Sequence, residues 1–485
     1  MQTWNFKSVI LSLVFCFGFC LVYSCKNNDG NPDPIDTIDT TGNAPTDISY
    51  WITKPDKTAL LKKQNVSLLF GSTTNSFPSL KVDTAVTYQE MDGFGFSLTG
   101  GSAYLINKLG ASSRDALLKE LFGSDSNSIG ISYIRISIGA SDLSSSVFSY
   151  DDIPAGQTDL NLDHFTLEPE KADLIPVLKS ILQINPSIKI LGSPWSAPVW
   201  MKSNKNSVGG SLLPEYYDVY ARYLVRYLNG MKAEGITLDG ITIQNEPLNP
   251  DNNPSMKMLA TEQRDFIRNN LGPAFETAGL KTKIIIYDHN CDHPEYATTI
   301  LGDPEAAKFV DGSAFHLYGG DISALSVVHS AFPDKNLYFT EQWVGGPGNF
   351  SGDLKWHIQN LIIGATRNWS KNVLEWNLAS DPLYDPHTNG GCTKCEGAVT
   401  IGSSITRNVS YYIIAHASRF VPAGSVRIAS NVPANLPNVA FRTPQGRKVL
   451  IVLNNSNEWQ SFNIEFNGRR APTSLAIGAV ATYVW

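Results

Sequence analysis

Leu238-Asp239-Gly240-Ile241-Thr242-Ile243-Gln244-Asn245-Glu246-Pro247 is a short β-rich run that closes on polar residues and is followed by a longer stretch with helical patterning. Seven more runs share that form, centred on Phe94, Arg135, Ile190, Ile286, Ala314, Phe339 and Leu374. Eight β-then-α units over about 290 residues match a (β/α)8 TIM barrel, for which about 250 residues is usual before insertions. A doubly wound open sheet has a similar rhythm, but it carries a Gly-rich phosphate loop after its first strand, and none follows Phe94. The barrel is expected over residues 89–420. Residues 47–88 and 421–485 do not fit it: VSLLF (66–70), LKVDTAVTY (80–88), VAFRT (439–443), KVLIVLNNS (448–456), QSFNIEFNG (460–468) and ATYVW (481–485) alternate apolar and polar residues between turns. The expected fold class is therefore α/β, a barrel with a fused β-sandwich side domain built from both chain ends.

In such barrels the reactive groups come from the C-terminal ends of strands. Two of the expected strands end in glutamate, the fourth at Glu246 and the seventh at Glu341. They lie 95 residues apart (246 to 341), which is three βα units of ordinary length. Cleavage of a glycosidic bond with retention needs two carboxyl groups about 5–5.5 Å apart, one to protonate the leaving oxygen and one to attack the anomeric carbon. Such an acid needs a raised pKa, and a neighbouring carboxylate supplies one by like-charge repulsion. Asn245 stands beside the first glutamate, placed to hydrogen-bond a sugar 2-hydroxyl. Trp195, Trp200, Tyr318, Trp343 and Trp376 fall at or just past strand ends, where ring faces stack on sugars; at least two of the five are expected in the site.

The N-terminus adds an address. Lys7 precedes an apolar run of about 14 residues, Val9 to Val22, ending in Val22-Tyr23-Ser24-Cys25. A spanning helix needs about 20 residues, so residues 1–24 are expected to be a signal peptide, with Cys25 the lipidated first residue of the mature chain. Residues 25–46, rich in Asn, Asp, Pro, Thr and Gly, are expected to form a flexible tether. This start resembles that of bacterial lipoproteins, and the resemblance implies export with a lipid anchor in a bacterial outer membrane, at the cell surface. The formal charge of −7 and the lack of a Lys/Arg cluster argue against nucleic acid as a partner. Cys392 and Cys395 form a lone C-x-x-C: a small loop disulfide is favoured over half of a metal site or a redox pair, since no second metal-spaced pair exists. The chemistry needs only carboxyl groups and water, so neither a metal nor an organic cofactor is expected. A monomer is expected.

Taken in order, several motifs resemble glycoside hydrolase family 30, which contains the glucosylceramidases. They are Gly93-Phe94-Gly95, Arg135-Ile136-Ser137-Ile138-Gly139, Ser193-Pro194-Trp195-Ser196, Trp200-Met201-Lys202, Gln244-Asn245-Glu246-Pro247, His316-Leu317-Tyr318-Gly319-Gly320, Thr340-Glu341-Gln342 and Trp376-Asn377-Leu378. The resemblance implies double displacement with Glu246 as acid/base and Glu341 as nucleophile, and a sugar subsite lined by Arg135, Trp195, Asn245, His316, Tyr318 and Trp376. Thr99-Gly100-Gly101-Ser102 stands where glucosylceramidase-type members have Thr-Asp-Ala. The missing acid argues against strict exo-cleavage and leaves room for a further sugar. The Gly391-Cys392-Thr393-Lys394-Cys395 loop resembles the bacterial β-1,6-glucanase branch, subfamily 3, so β-1,6-glucan is the favoured substrate. The alternatives are a glucosylceramidase-like exo-β-glucosidase, a β-glycanase acting on another glycan such as xylan, and a surface glycan-binding protein without turnover.

Overall fold

The computed structural model describes residues 46–485; the signal peptide, Cys25 and nearly all of the tether lie outside the described residues. Each of the eight runs forms a strand: β1 (Gly93–Ser97), β2 (Tyr133–Ile138), β3 (Lys189–Pro194), β4 (Gly240–Thr242), β5 (Lys283–Cys291), β6 (Val310–Gly320), β7 (Asn336–Glu341) and β8 (Ser370–Asn377). They pair in chain order, all parallel, and β8 closes on β1. Helices pack outside. The helix Tyr217–Ala233 shows why they form there: Val219, Tyr220, Tyr223, Leu224, Tyr227, Leu228 and Met231 recur at three- and four-residue spacing and are all buried.

Inside the barrel, side chains stack in layers set by the two-residue period of a strand. The lower layer is an apolar plug of Tyr133, Leu191, Ile285, Ala314, Tyr338 and Leu374. At Gly95 the backbones of β1 and β2 come too close for a side chain: a Cβ there would lie 1.9 Å from the Tyr133 carbonyl oxygen. Two residues further along five of those strands come Arg135, Ser193, His316, Thr340 and Trp376, so the layer above the plug is polar and opens toward the strands' C-terminal ends.

Strands from both chain ends make one continuous nine-stranded sheet, ordered 469–475, 460–466, 79–90, 426–430, 438–442, 448–453, 480–484, 49–53 and 62–63. The long strand Ser79–Glu90 joins its two halves, pairing in parallel with Gln460–Phe466 through Val82 and antiparallel with Val426–Ser430 beyond. The sheet folds around its own core, where Tyr50, Leu80, Ile428, Leu450, Phe462 and Tyr483 meet. The alternate residues Phe441, Val449, Ile451 and Leu453 belong to the barrel's outer core. VSLLF (66–70) departs from expectation: Leu68 and Phe70 are buried on alternate positions, but the segment forms no ladder strand. It runs past Asp47 and Ile48, whose amides both converge on the Leu68 carbonyl. His416, on the last barrel helix, is fully buried between Thr53 and Thr482 of the two chain-end strands at 2.8 and 2.9 Å. Burial lowers its pKa to about 3, so it serves as a neutral link between barrel and sheet. Among the described residues no helix is long and apolar enough to cross a membrane.

Phe441 meets Phe94 edge-on, 6.4 Å between ring centres, and is fully buried. Phe441→Ala should cost about 3–5 kcal/mol, with sheet and barrel still unfolding in one transition in urea. Tryptophan fluorescence and far-UV dichroism that separate into two transitions in the wild type would contradict a shared core.

Candidate active site

The polar layer is organised by one buried cation. Arg135 is fully buried. One of its terminal nitrogens donates to Glu341 Oε2 at 2.6 Å, and the other is shared among Asp288 Oδ2 (2.8 Å), Asn245 Oδ1 (2.6 Å) and Ser193 Oγ (3.2 Å). Asp288 is the counterweight. Its carboxylate also accepts from Ser193, Thr242 and Thr340 hydroxyls at 2.8, 2.7 and 2.6 Å, and pairs with His316 Nε2 at 3.1 Å. Burial would raise its pKa, but Arg135 and these donors hold it well below the usual carboxylate range.

The two glutamates hang from this frame. Glu341 ends β7, and its Oε1 accepts from the Tyr318 hydroxyl at 2.9 Å. The β4 ladder stops at Thr242, short of Glu246, yet the chain stays aligned with its neighbours: Asn245 N donates to Pro194 O of β3 and Glu246 N to Asp288 O of β5. Glu246 takes a left-handed φ of 45°; its Oε1 pairs with His316 Nδ1 at 3.1 Å and its Oε2 accepts from Asn249 Nδ2 at 2.7 Å. One oxygen of each glutamate and a His316 ring nitrogen lie within 4.8 Å of one another. That spacing also suits a divalent cation, but all six donor atoms are already hydrogen-bonded. Two carboxylates with oxygens this close are compatible with the carboxyl separation of about 5–5.5 Å used in retaining cleavage.

Three acidic groups and two cations share the layer, so protons are shared too. Burial opposes a charge on His316, but Glu341, Asp288 and Glu246 together raise its pKa to about 9. Burial likewise opposes charge on Glu246, yet His316 and Asn249 draw it down to about 2. Glu341 shifts upward through burial and through repulsion from Glu246, which outweigh His316 and Arg135. These shifts favour the proton on His316 over Glu246, the reverse of the order expected from proximity alone.

Above the pair lies an open cleft of about 580 Å³. Tyr318, Trp343 and Trp376 line it with both glutamates, as the sequence suggested. Four of the expected sugar contacts sit deeper. Arg135 is consumed by its ion pairs, and His316, also fully buried, bridges Glu246 and Asp288. Trp195 is 2% exposed, stacked on Trp376 at 5.4 Å, with the Arg135 guanidinium 4.7 Å from its ring centre. It props up those two side chains and does not line the cleft. Asn245 gives its oxygen to Arg135, which leaves its amide NH2 to meet a hydroxyl. Trp200 is core, donating to Asp151 and packing edge-on against Tyr216.

The expectation that Gly100 and Gly101 leave space for a sugar is not met. A Cβ at Gly101 would lie 2.7 Å from the Leu143 carbonyl oxygen and 3.0 Å from Pro386, and one at Gly100 would lie 3.0 Å from Ser144 Oγ. The gap is filled by the loop after β2. That loop brings in a carboxylate of its own, Asp142, which lines the cleft and whose pKa rises to about 7 through burial and the nearby glutamates. The sequence reading missed Asp142, Asp288 and Asn249. Asn249 stands three residues past Glu246 and was legible as a partner. Asp288 was concealed by a register shift in β5 between Tyr287 and His289, where Tyr287 and Asp288 take φ of 72° and 65°. Strict alternation from Ile285 would have pointed Tyr287 inward; the irregularity presents Asp288 instead.

A barrel with paired glutamates at strand ends and a folded side sheet defines a glycoside hydrolase. The model of the glycosyl hydrolase family 30 TIM-barrel domain matches residues 91–421, and that of the family 30 β-sandwich domain matches residues 424–483. The chain belongs to glycosyl hydrolase family 30. It is 38% identical to the endo-1,6-β-D-glucanase of Neurospora crassa over 70% of this chain and 72% of the relative. It is 32% identical to putative glucosylceramidase 2 of Caenorhabditis elegans over 81% and 80%. Among solved structures, the endo-β1,6-glucanase BT3312 superposes with a TM-score of 0.85 at 35% identity, covering 91% of this chain and 99% of that one.

Because the His316 pKa is raised above its unfolded value of about 6.5, its protonated form adds stability that is fully present below about pH 6.5 and is lost as pH climbs through about 9. His316→Gln should remove that fall. Urea denaturation at pH 6 and pH 9.5 checks it: the wild type should weaken more between the two than the variant, and equal slopes would count against a charged His316.

Proposed function

We propose that the chain is a retaining endo-β-1,6-glucanase, with Glu341 as nucleophile and Glu246 as acid/base. The observation that carries the mechanism is the pair of buried glutamates with oxygens inside 4.8 Å of each other at the floor of an open cleft. Arg135 holds Glu341 Oε2, which leaves Oε1, at the cleft surface beside Tyr318, to attack the anomeric carbon. Glu246 must carry a proton to the departing oxygen. Its hydrogen bond to His316 Nδ1 supplies one, because neutral His316 can keep its Nε2–H on Asp288 while the Nδ1 proton moves to Glu246. Cleavage forms the glycosyl ester on Glu341 and transfers that proton to the leaving sugar. Ester formation cancels the Glu341 charge, and Glu246, ionised, then takes a proton from the water that hydrolyses the ester.

The β-1,6 preference rests on the fungal endo-1,6-β-glucanase and BT3312, both more similar in sequence to this chain than the glucosylceramidase reported with them. Endo-action is supported by a cleft that continues past Glu246 to Asn252 and His293. The same reading keeps the N-terminal expectations, for which the support is the sequence of residues 1–25: export, a lipid on Cys25 and display on an outer membrane, with a monomeric enzyme at the end of a tether.

Incubation with pustulan should release a ladder of gluco-oligosaccharides; xylan should stay intact, and glucose as the sole product would favour the exo-glucosidase reading. Glu341→Ala should lower turnover by about 10⁴-fold or more, and full activity there would leave only a different nucleophile or a different site. Glu246→Ala should lose about 10²–10⁴-fold on natural glycans and regain turnover with azide, giving a β-glucosyl azide. Cys25→Ala should move the protein from the detergent phase to the aqueous phase in Triton X-114 partitioning of expressing cells.

A further inference from the structure

Between β8 and the last barrel helix (Val409–Ser418) the chain makes a long excursion, and it carries the one disulfide found among the described residues, Cys392–Cys395. Nothing in the reaction above uses it. Both cysteines line the cleft. Cys395 packs in one apolar cluster with Leu143, Trp195 and Trp376, and Trp343 and Cys392 lie against that cluster. The excursion is tied to the loops of four strands. Gly346 N donates to Lys394 O at 2.7 Å and Glu396 N to Val344 O at 3.0 Å, beyond β7; Asn377 Nδ2 donates to Cys395 O at 3.2 Å, at the end of β8. Thr388 donates through its amide to Asp142 O at 2.9 Å and through its hydroxyl to Asn253 O at 2.5 Å, in the loops after β2 and β4. It also passes directly over Asp142: a Cβ on Gly391 would lie 2.3 Å from the Asp142 carbonyl oxygen.

We propose that the Cys392–Cys395 disulfide is a positioning element of the sugar site. It clamps the wall on the Glu341 side of the cleft, and with it Trp343, Trp376 and Asp142, so that reduction weakens sugar binding and leaves the chemistry of Glu246 and Glu341 untouched. The geometry separates these effects. The glutamates hang from Arg135, Asp288 and His316 inside the barrel, whereas Trp343 and Asp142 lie on loops tied to a span that the sulfur bridge keeps from extending, and Trp376, backed inside the barrel by Trp195, meets that span through Cys395. Opened, that span loses the sulfur packing against Trp376 and the fixed aim of the Lys394 carbonyl at Gly346. Reduction by a water-soluble phosphine breaks the S–S bond, giving two thiols as the phosphine and water become phosphine oxide. Cys291 is buried and takes no part.

The proposal rests on the hydrolase reading, so the oxidised wild type is assayed first on β-1,6-gluco-oligosaccharides and nitrophenyl glucoside. Phosphine-reduced, alkylated wild type and Cys392→Ser/Cys395→Ser are then compared with it. KM should rise about tenfold in both, with kcat within about twofold, and glucose binding followed by tryptophan fluorescence should weaken by a similar factor. Unchanged KM and unchanged glucose affinity overturn the proposal, as does a loss of kcat at constant KM. Failure of the oxidised enzyme to cleave either substrate overturns the catalytic reading instead, and the glucose-binding ratio still decides the role of the disulfide. Reoxidation of unalkylated protein should restore the original affinity, which separates a moved wall from an unfolded chain.

Discussion

A guanidinium with no access to water sits at the centre of this barrel, and the placement of every reacting group depends on its ion pairs. Burying Arg135 alone would be strongly unfavourable; burying it with Asp288 and Glu341, each within 2.8 Å, offsets the desolvation and fixes three strands relative to one another. The strands concerned, β2, β5 and β7, are not adjacent in the barrel, so the network spans its interior and does not follow a rim. Removing Arg135 would leave two buried carboxylates without their cation, which makes the site rigid for electrostatic reasons as much as for packing. The result is a carboxylate, Glu341, with one oxygen held by Arg135 and the other beside Tyr318 at the cleft, as the proposed nucleophile requires.

This frame also explains which parts of the molecule were legible in the sequence. The eight strands could be read because each is a short β-rich run between longer helical segments, and the period of two then puts Arg135, His316 and Trp376 one step above the plug residues Tyr133, Ala314 and Leu374. Glu246 and Glu341 were legible for the same reason, even though the β4 ladder ends at Thr242. Asp288 was not. A register irregularity with two left-handed residues replaces the residue that alternation would select, and no local feature of Ile286-Tyr287-Asp288-His289 announces it. Function is written here in the exception to a rule that holds elsewhere in the barrel.

Burial was the second thing the sequence concealed. A strand-end aromatic or a basic residue near paired carboxylates reads equally well as a sugar contact or as a support for one. Trp195 and Arg135 are supports: the guanidinium lies 4.7 Å from the Trp195 ring centre and 5.8 Å from that of Trp376, the two rings stack on each other, and of the three only Trp376 lines the cleft. The Gly100–Gly101 pair misled in the opposite sense. Absent side chains suggested vacant space, but the loop after β2 moves into it, bringing Leu143 and Ser144 close and Asp142 to the cleft. Small residues mark close approach of backbone at least as often as they mark room for a ligand.

The charge order around His316 is best understood as a store for one proton. Glu246 and His316 share it along a single hydrogen bond, and Asp288 anchors the far side of the imidazole in either state. With the proton on His316, the charge on Glu246 is offset by His316, while burial and repulsion from Glu246 shift Glu341 upward against the pull of His316 and Arg135. A sugar that displaces solvent above Glu246 removes the stabilisation a free carboxylate draws from water, and the proton then has reason to move to the glutamate, where the leaving oxygen needs it. In the proposed mechanism the negative charge passes from Glu341 to Glu246 as the ester forms, so Glu246 is already ionised when water arrives and needs no external base to take its proton. A histidine bound on both sides by carboxylates gives the barrel a way to supply acid and base from the same residue while the net charge of the site stays constant, since Glu246 takes up the negative charge that Glu341 gives up in the proposed cycle.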